Sequence, residues 1–571
     1  MITRSSLRQS NSIVADIGVL SLLAAVLYGL VRVAKHWESP LQSQVEIDLS
    51  VWALPGYTLL SLLRGFAAYG LSLGFTLVYG YLAAHRPRAE RILVPLLDVL
   101  QSIPVLGFLP GAVLALVALF PSTNMGLELA SILMIFTGQV WNMTFSFYQS
   151  LRSLPRELGE ASSLYQFNWW QRFRRVELPA AAVGLAWNSM MAMAGGWFFL
   201  MVCEAFHLGS RDFRLPGLGA YMSVAIARHQ TPAILAGIIA MVTMIVLVDT
   251  LVWRPVLVWV QKFRIEDTAT SDVQASAVLR WFQRSWLIQN AMARVAHPIS
   301  EWLSAQRVPA DATPPPLRPW RLPWMAWLVS LFVQLATAVL VGWAALRLVR
   351  LLGRLPLEVW LQIIGSAGLT LARVMAAVLL GSLWAVPVGI WIGQSDRRRN
   401  LLQPLVQIAA SFPAPMLYPL ILFGLRRLGW ELNVTAVILM MLGTQWYILF
   451  NVIAGASTLS ADFREVARAY RFTPTQRRWS VWWPATFPYV ITGWIAAAGG
   501  AWNASIVAEY VALSGQVQTA PGLGSLISTA ADHASYDLLA AGVLAMALVV
   551  VVVNRILWRP LYRLAETRYA Y

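Results

Sequence analysis

Long apolar segments alternate with short polar segments along nearly the whole chain. An α-helix rises about 1.5 Å per residue, so about 20 apolar residues are needed to cross about 30 Å of hydrocarbon. Segments near this length in the first half are 13–33, 57–83, 104–120, 127–148, 183–206 and 233–253. In the second half they are 324–346, 361–393, 412–425, 433–455, 486–510 and 537–557. The pattern predicts an all-α polytopic membrane protein with about 12 transmembrane helices, six in each half.

Composition places the chain in the same class. Hydrophobic residues make up 58% of it and charged residues 12%, against about 25% charged residues in soluble domains. The formal net charge of +16 is carried by basic residues in short segments that flank the apolar ones. Basic residues in such positions favour the cytoplasmic side and contact anionic lipid headgroups. We therefore expect a lipid bilayer as a partner, and no nucleic acid.

The basic segments also predict how the helices are oriented. Short loops rich in lysine and arginine stay on the cytoplasmic side of a membrane. One face of the predicted topology collects both termini and the basic segments 85–91, 152–175, 262–321, 397–399 and 464–478. We predict that this face and both termini are cytoplasmic. Arg347, Arg350 and Arg354 fall on the other face, so either the seventh span is mis-bounded or an interfacial helix follows it.

One charged segment occurs twice, as ELGEASSLYQFNWWQRFRRVELPA from Glu157 and as FREVARAYRFTPTQRRWSVWWPA from Phe463. The pairs in register, 305 residues apart, are Glu160/Glu465, Tyr165/Tyr470, Phe167/Phe472, Gln171/Gln476, Arg172/Arg477 and Pro179/Pro484. The same offset relates Pro-Gly-Leu-Gly at 216–219 to that at 521–524, and an offset of 309 relates Arg64 to Arg373. Internal repeats in membrane proteins indicate homologous units related by a pseudo-twofold axis.

The repeat divides the chain into five parts. Residues 1–56 hold an N-terminal transmembrane helix and an outer loop, and residues 57–260 form the first repeated unit. Residues 261–323 are predicted to contain an amphipathic helix and a proline-rich linker on the cytoplasmic side. Residues 324–358 hold a transmembrane helix that leads into the second unit, residues 359–571.

Each copy of the charged segment is predicted to form a cytoplasmic loop with a short amphipathic helix. Such a helix can pack into a groove on another protein, whereas a basic loop without a partner would only anchor the ends of the spans. The repetition in register favours docking. The candidate docking residues are Glu160, Ala161, Tyr165, Gln166, Phe167, Gln171, Arg172, Pro179, Glu465, Ala467, Tyr470, Arg471, Phe472, Gln476, Arg477 and Pro484.

The segment from Glu160 to Ser162, followed by Val-Glu-Leu-Pro at 176–179, resembles the EAA loop of permease subunits of binding-protein-dependent ABC importers. Thr-Leu-Ala-Arg at 370–373 and the two Pro-Gly-Leu-Gly motifs are similar to the nitrate, sulfonate, taurine and bicarbonate branch. The family usually has glycine six residues after the glutamate, where this chain has Gln166 and Arg471.

The resemblance implies two tandem six-helix type I permease units in the bacterial inner membrane. It implies that the loops are coupling helices that contact cytoplasmic ABC ATPase subunits, expected in two copies. An extracytoplasmic solute-binding protein is the other implied partner.

Catalytic motifs are absent from the sequence. A phosphate-binding P-loop needs Gly-Lys followed by Ser or Thr, but the two lysines, Lys35 and Lys262, precede His36 and Phe263. The histidines have no metal-ligand spacing, and Cys203 is the single cysteine. We expect no enzymatic activity, no metal and no cofactor in this chain, with ATP and Mg bound by the partner ATPase.

Polar residues within the predicted spans are candidates for a transport pathway, because they are costly in lipid. Hydrogen bonding between helices is the alternative. The uncharged candidates are Gln139, Asn142, Asn188, Gln445, Asn451 and Asn503. Glu204 and Glu509 could form an outer gate, but we expect them to pair with Arg64 and Arg373.

The sequence thus favours the permease of an ATP-driven importer that moves a small solute, an oxyanion or a sulfonate, by alternating access. An ion- or proton-coupled secondary transporter with an internal duplication is the alternative. Such a carrier needs ionisable residues deep in the membrane, and the acidic residues here lie near the span ends.

Overall fold

The computed structural model describes residues 45–102, 104–208, 211–263, 345–457, 469–513 and 516–569, with isolated positions between 16 and 37 and between 278 and 343. Most of the predicted spans 13–33 and 324–346 and of the linker 261–323 lies outside the described residues.

The first unit is built from ten α-helices and one hairpin in its described part. The helices are α1 (Leu54–His85), α2 (Pro87–Ser102), α3 (Leu109–Leu119), α4 (Met125–Arg152), α5 (Arg156–Leu164), α6 (Trp169–Arg172), α7 (Leu178–Cys203), α8 (Leu218–Ala227), α9 (Thr231–Val248) and α10 (Arg254–Val260). The strands are β1 (Ala205–Leu208) and β2 (Arg211–Arg214). A 3₁₀ turn (Val105–Phe108) and two π turns (Phe173–Glu177, Asp249–Trp253) join neighbouring helices.

The second unit repeats this order of elements. Its described helices are α11 (Leu357–Gly393), α12 (Asp396–Ser411), α13 (Tyr418–Arg427), α14 (Leu432–Ser457), α15 (Pro474–Arg477), α16 (Trp483–Ala508), α17 (Leu523–Asp532), α18 (Tyr536–Val553) and α19 (Arg559–Tyr569). The strands are β3 (Tyr510–Leu513) and β4 (Gln516–Thr519). The turns recur as a 3₁₀ turn (Ala414–Met416) and π turns (Arg478–Trp482, Asn554–Trp558). The duplication seen in the sequence is therefore present in the structure.

Seven helical stretches of the described chain are long and apolar enough to cross a membrane. They are Val51–His85, Trp169–Cys203, Thr231–Phe263, Leu357–Gly393, Leu432–Ser457, Thr475–Ala508 and Tyr536–Ala565. The 28-residue α4 is also long enough, but Glu128, Gln139 and Asn142 make it less apolar. The all-α membrane class is confirmed, with two short hairpins added.

The predicted spans 104–120 and 412–425 are wrong as single spanning helices. Their longest helices, α3 and α13, have 11 and 10 residues. Proline lacks a backbone N–H and disfavours helical conformation in the preceding residue, and extended backbone at Pro104, Phe412 and Pro413 separates α3 and α13 from the helices before them. The amphipathic helices α2 and α12, which the sequence reading treated as loop, precede these breaks.

The predicted fifth spans also end earlier than expected. Helices α7 and α16 end at Cys203 and Ala508, and an antiparallel hairpin follows each, with Ala205 opposite Arg214 and Tyr510 opposite Thr519. The short helices α8 and α17 come after the hairpins. Hydropathy did not predict these elements because it identifies segments of spanning length, and each hairpin strand has only four residues.

Each unit packs around three long helices, α1, α4 and α7 in the first and α11, α14 and α16 in the second. Small residues let the helices approach closely. In the first unit, Thr76 and Thr144 meet at 3.0 Å between α1 and α4, and Gly80 lies against Phe147. Buried apolar side chains of both units form one continuous core.

The two units contact each other reciprocally. Helix α7 packs against the 3₁₀ turn Ala414–Met416, and its counterpart α16 packs against the 3₁₀ turn Val105–Phe108. The Val105 N–H donates to Asn503 Oδ1 at 2.7 Å. Reciprocal contacts between equivalent elements are what a twofold arrangement produces.

The close approach at Gly219 generates a stability prediction. A Cβ at Gly219 would lie 2.8 Å from the Met201 carbonyl oxygen and 2.9 Å from Glu204 Cβ, whereas one at Gly74 would meet nothing within 4 Å. We expect Gly219→Ala to lower the free energy of unfolding by about 1–3 kcal/mol through overpacking. The thermal midpoint of the purified chain in detergent measures this. Gly74→Ala is the matched control, and equal midpoints for the two variants would contradict the packing argument.

Candidate functional site

A cavity of about 940 Å³ lies between the two units. Its walls come from α4 and α7 of the first unit and from α14, α16, α18 and α19 of the second. Aromatic side chains such as Trp141, Trp446 and Tyr447 line it. Among its described lining residues the charged ones are Arg559 and Arg563, and none is acidic.

Three of the uncharged pathway candidates line this cavity: Asn142, Asn451 and Asn503. Asn451 Nδ2 donates to the Tyr447 carbonyl oxygen at 2.8 Å, and Asn503 Nδ2 donates to the Gly499 carbonyl oxygen at 3.2 Å. Anchored amides of this kind present polar groups to a solute at a fixed position.

The other three candidates form contacts within the protein and do not line the cavity. Gln139 is buried and accepts from the Ser72 hydroxyl at 3.4 Å. Gln445 accepts from Trp384 Nε1 at 2.9 Å. Asn188 Nδ2 donates to the carbonyl oxygen of Gly184 on its own helix at 3.0 Å. Hydrogen bonding inside the helix bundle therefore accounts for these residues.

Glu204 forms a buried ion pair with Arg64, as expected from the sequence. Glu204 Oε2 accepts from the Gly219 N–H at 2.6 Å, and Glu204 Oε1 accepts from the Ser61 hydroxyl at 2.6 Å. Arg64 also holds Glu128 through Nε and Nη2, both at 2.7 Å. The cluster joins α1, α4, the end of α7 and the start of α8.

Glu509 forms the equivalent pair with Arg373 at 2.8 Å. The Thr370 hydroxyl donates to Glu509 at 2.9 Å, and the Gly524 N–H donates to it at 2.8 Å. Arg373 Nη2 donates to Asn433 Oδ1 at 2.9 Å. An amide thus takes the place that Glu128 has in the first unit.

Neither glutamate is among the residues that line the cavity, and a role for them as an outer gate stays a prediction. Sequence reasoning missed Glu128 and Asn433 as members of the clusters. A lone carboxylate inside the predicted span 127–148 was the signal that could have found Glu128, because a buried carboxylate needs a partner.

The first repeated loop starts with α5 and then turns sharply. Gln166 has a left-handed backbone with φ of 50°, and the Phe167 N–H donates to the Ser162 carbonyl oxygen at 3.0 Å. This hydrogen bond is typical of a helix that ends in a Schellman motif, where glycine is usual. Arg471 has φ of 51° at the equivalent position, so the bend is kept without glycine.

A capping box then starts the next helix in both loops. In the first loop the Gln171 N–H donates to Asn168 Oδ1 at 2.7 Å, and the Asn168 N–H donates to Gln171 Oε1 at 3.1 Å. In the second loop Thr473 and Gln476 exchange the same two bonds. Gln171 and Gln476 therefore complete the capping boxes that start these helices, which explains why glutamine occurs at the same position in both loops.

Both loops carry exposed apolar side chains, and the equivalent residues Tyr165 and Tyr470 are among them. In the first loop Leu164 is 83% exposed, Tyr165 72% and Trp169 62%; in the second loop Tyr470 is 75% exposed and Trp479 62%. Glu160 is exposed and Ala161 is half-buried, whereas Glu465 and Ala467 lie outside the described residues. We call the end of the helices that carries both loops the loop face.

The remaining loop candidates hold the loops in place. Phe167 stacks on Tyr165 with ring centroids 6.0 Å apart. Arg172 Nε donates to Glu177 Oε1 at 2.7 Å, and Glu177 also hydrogen-bonds His85 at the end of α1. The candidates Pro179 and Pro484 lie at the starts of α7 and α16, and Phe472 and Arg477 lie in the described part of the second loop.

The family model of the binding-protein-dependent transport system inner membrane component matches residues 76–253 and again residues 385–564. The chain belongs to this family, and it carries two permease domains of the ABC importer type in one polypeptide. It is therefore a multi-pass membrane transport protein.

Individual relatives are permeases of the predicted branch. The bicarbonate transport system permease protein CmpB of Synechococcus elongatus is 31% identical over 159 residues, which are 28% of this chain and 54% of that protein. The nitrate import permease protein NrtB of Synechocystis sp. is 27% identical over 140 residues, 24% of this chain and 50% of that protein. The taurine transport system permease protein TauC of Escherichia coli is 24% identical over 182 residues, 32% of this chain and 62% of that protein. The chain spans between half and two thirds of the length of these relatives.

The buried clusters generate a second prediction. Arg64→Gln would leave Glu204 and Glu128 buried together without a cation, and we expect the free energy of unfolding to fall by about 3–5 kcal/mol. Glu128→Gln should lower the free energy of unfolding much less, because in the second unit the amide of Asn433 is enough to hold the equivalent Arg373. Thermal unfolding in detergent compares the two variants. A larger loss for Glu128→Gln than for Arg64→Gln would contradict the assignment.

A third prediction concerns the bend of the first loop. Glycine adopts left-handed backbone conformations without strain, and β-branched residues rarely do. Gln166→Gly should therefore leave transport intact, and Gln166→Ile should lower it at equal amounts of protein in the membrane. Uptake by cells that express each variant, normalised by immunoblot, tests this. Normal uptake by the isoleucine variant would show that the bend is not required.

Proposed function

We propose that the chain forms the transmembrane part of an ATP-driven importer, with the cavity between its two units as the solute pathway. The observation that carries the proposal is continuity between the loops and the walls of the cavity. The helical stretches Trp169–Cys203 and Thr475–Ala508 begin in the two loops and line the cavity through residues such as Ala194 and Ala498. A partner that moves the loops would move the cavity walls directly.

The partner is proposed to be a cytoplasmic ATPase that binds both loops. The sequence has no P-loop lysine, so ATP and Mg would be bound by that partner. The exposed side chains of Tyr165 and Tyr470 offer equivalent apolar contacts on the loop face, and exposed apolar patches mark protein interfaces. The loop face and both termini would be cytoplasmic, in a bacterial inner membrane.

The solute is proposed to be a small oxyanion or sulfonate, delivered by an extracytoplasmic solute-binding protein. The relatives are named as permeases for bicarbonate, nitrate and taurine. The absence of acidic side chains among the described lining residues supports an anion here as well. Transport would follow alternating access, and lining residues such as Gln149 and Tyr489 support a state open to the loop face.

An ion- or proton-coupled carrier is the second candidate, and the position of the buried carboxylates argues against it. Such a carrier needs titratable groups on the transport pathway. Glu204 and Glu509 are held by arginines away from the cavity lining.

Affinity purification tests the ATPase partner. The tagged chain, purified in mild detergent from its native cell, should retain an ATPase that mass spectrometry identifies by its P-loop. Tyr165→Glu/Tyr470→Glu should reduce the retained ATPase about tenfold or more, because the charges would be buried at an apolar contact.

Trp52→Glu is the matched control, because Trp52 is 92% exposed just before α1, at the end of the helices opposite the loop face. It should retain the ATPase fully. Absence of any ATPase from the wild-type preparation under every nucleotide condition would contradict the importer, and ion-driven uptake would then be measured.

A further inference from the structure

The two loops follow the same backbone path in their described parts. Each turns through a left-handed residue, Gln166 or Arg471, and each continues into a helix that a capping box starts. Tyr165 and Tyr470 precede the turn and are exposed in both loops. Differences between the side chains therefore change the chemistry of the surface without changing the path of the chain.

The first loop carries more apolar surface next to its tyrosine. Leu164 is 83% exposed, and the equivalent residue of the second loop is Ala469, which is also exposed. Trp169 is 62% exposed, and the second loop has Pro474 at that position. A partner that covers the turn would contact a leucine and an indole in the first loop, and an alanine and a proline in the second.

The second loop has a charge at the turn instead. Arg471 stands where the first loop has Gln166, and both residues are exposed. The indole of the second loop lies farther along the chain: Trp479 is 62% exposed on the π turn, where the first loop has Arg174. Because a charge is costly to bury where an indole would fit, one groove cannot suit both loops equally well.

The segments that lead into the turns also differ in charge. Residues 156–166 hold one arginine and two glutamates, whereas residues 461–471 hold three arginines, one aspartate and one glutamate. The formal charge is therefore −1 in the first segment and +1 in the second. Contacts of the second segment with acidic groups would be strengthened by its charge and screened by salt.

An ion-pair cluster fixes the first loop to α1. Arg172 Nε donates to Glu177 Oε1 at 2.7 Å, and His85 Nε2 lies 2.8 Å from the same oxygen. In the second unit Trp482 replaces Glu177, and Gln394 replaces His85. The carboxylate at the centre of this cluster therefore has no counterpart at that position. A loop that is already held in its bound conformation loses less entropy on binding.

We propose that the two loops bind the ATPase unequally, the first more tightly through Leu164 and Trp169, and the second more weakly through a salt-sensitive contact of Arg471. The inference rests on the proposed function, in which the ATPase binds both loops. Burial of a leucine and an indole contributes much more to binding than one exposed ion pair, which makes the first loop the stronger site. The ATPase would stay attached through the first loop while the second loop binds and releases it.

Substitutions that exchange residues between the loops test this with little effect on the fold, because each new residue already occurs at the equivalent position of the other loop. Leu164→Ala/Trp169→Pro removes apolar surface from the first loop, and proline is tolerated at the first position of a helix. Arg471→Gln removes the charge from the turn of the second loop. The full tagged chain is purified from its native cell in mild detergent, at about 50 mM and about 500 mM NaCl. Mass spectrometry measures the retained ATPase relative to the permease chain.

Leu164→Ala/Trp169→Pro should retain about tenfold less ATPase at both salt concentrations, because salt does not screen apolar contacts. Arg471→Gln should retain about twofold less at the lower salt concentration and as much as the wild type at the higher one. Trp52→Ala is the control, because it removes an indole that is 92% exposed at the opposite end of the helices. This variant should retain the ATPase fully at both salt concentrations.

Leu164→Ala alone should lower the retained ATPase about threefold at both salt concentrations, and it keeps the test decisive if the double variant does not fold. Unchanged retention by Leu164→Ala and by the folded double variant would overturn the unequal binding. A loss in Arg471→Gln that is as large as in the first-loop variants and independent of salt would overturn it too.

The wild-type chain separates this inference from the proposed function. If it retains the ATPase and the exchanged residues leave retention unchanged, the unequal binding is wrong and the proposed function stands. If it retains no ATPase at either salt concentration and under any nucleotide condition, both the proposed function and the unequal binding are contradicted.

Discussion

The pairing of a buried arginine with a buried glutamate is the interaction on which each unit depends. Arg64 and Glu204 lie where α1 meets the end of α7, and without Arg64 the buried carboxylates of Glu204 and Glu128 would have no cation, which is expensive because isolated charges are costly to bury. Their hydrogen bonds also fix the start of α8 through the N–H of Gly219. Glycine is required at that point because the Met201 carbonyl oxygen and the Glu204 side chain leave no room for a Cβ. The same geometry recurs around Arg373 and Glu509.

Duplication within one chain allows the two units to keep this geometry and to differ elsewhere. Glu128 becomes Asn433 beside the paired arginine, and Asp249 becomes Asn554 at the loop face. Two identical subunits around an exact twofold axis would have to carry both copies of any charge, since symmetry repeats every residue. A fused pair can place arginines on one wall of the cavity, and Arg559 and Arg563 lie on such a wall among the described lining residues.

The repeated loops and the cavity are parts of the same helices. A left-handed residue ends α5, a capping box starts α6, and a π turn carries the helix on into α7 without interruption. Glu177 ties the π turn to Arg172 and to the end of α1. In the proposed mechanism, a displacement of the exposed side chains of the first loop would be transmitted along this helix to the part of the cavity wall that Ala194 and Phe198 form.

The sequence by itself determined the membrane class, the duplication, the position of both loops and the partners of Glu204 and Glu509. Each follows from hydropathy or from residues repeated in register, and both can be read along the chain without knowing how it folds. Only the tertiary structure decided which polar residues face the cavity: Asn142 lines it whereas Gln139, three residues earlier, turns into the helix bundle. Hydropathy also could not show that the apolar segment after Pro104 forms a short helix, because apolarity does not record where the backbone changes from extended to helical. The direction in which a side chain faces around its helix axis depends on contacts with residues distant in sequence, and those contacts form only in the folded chain.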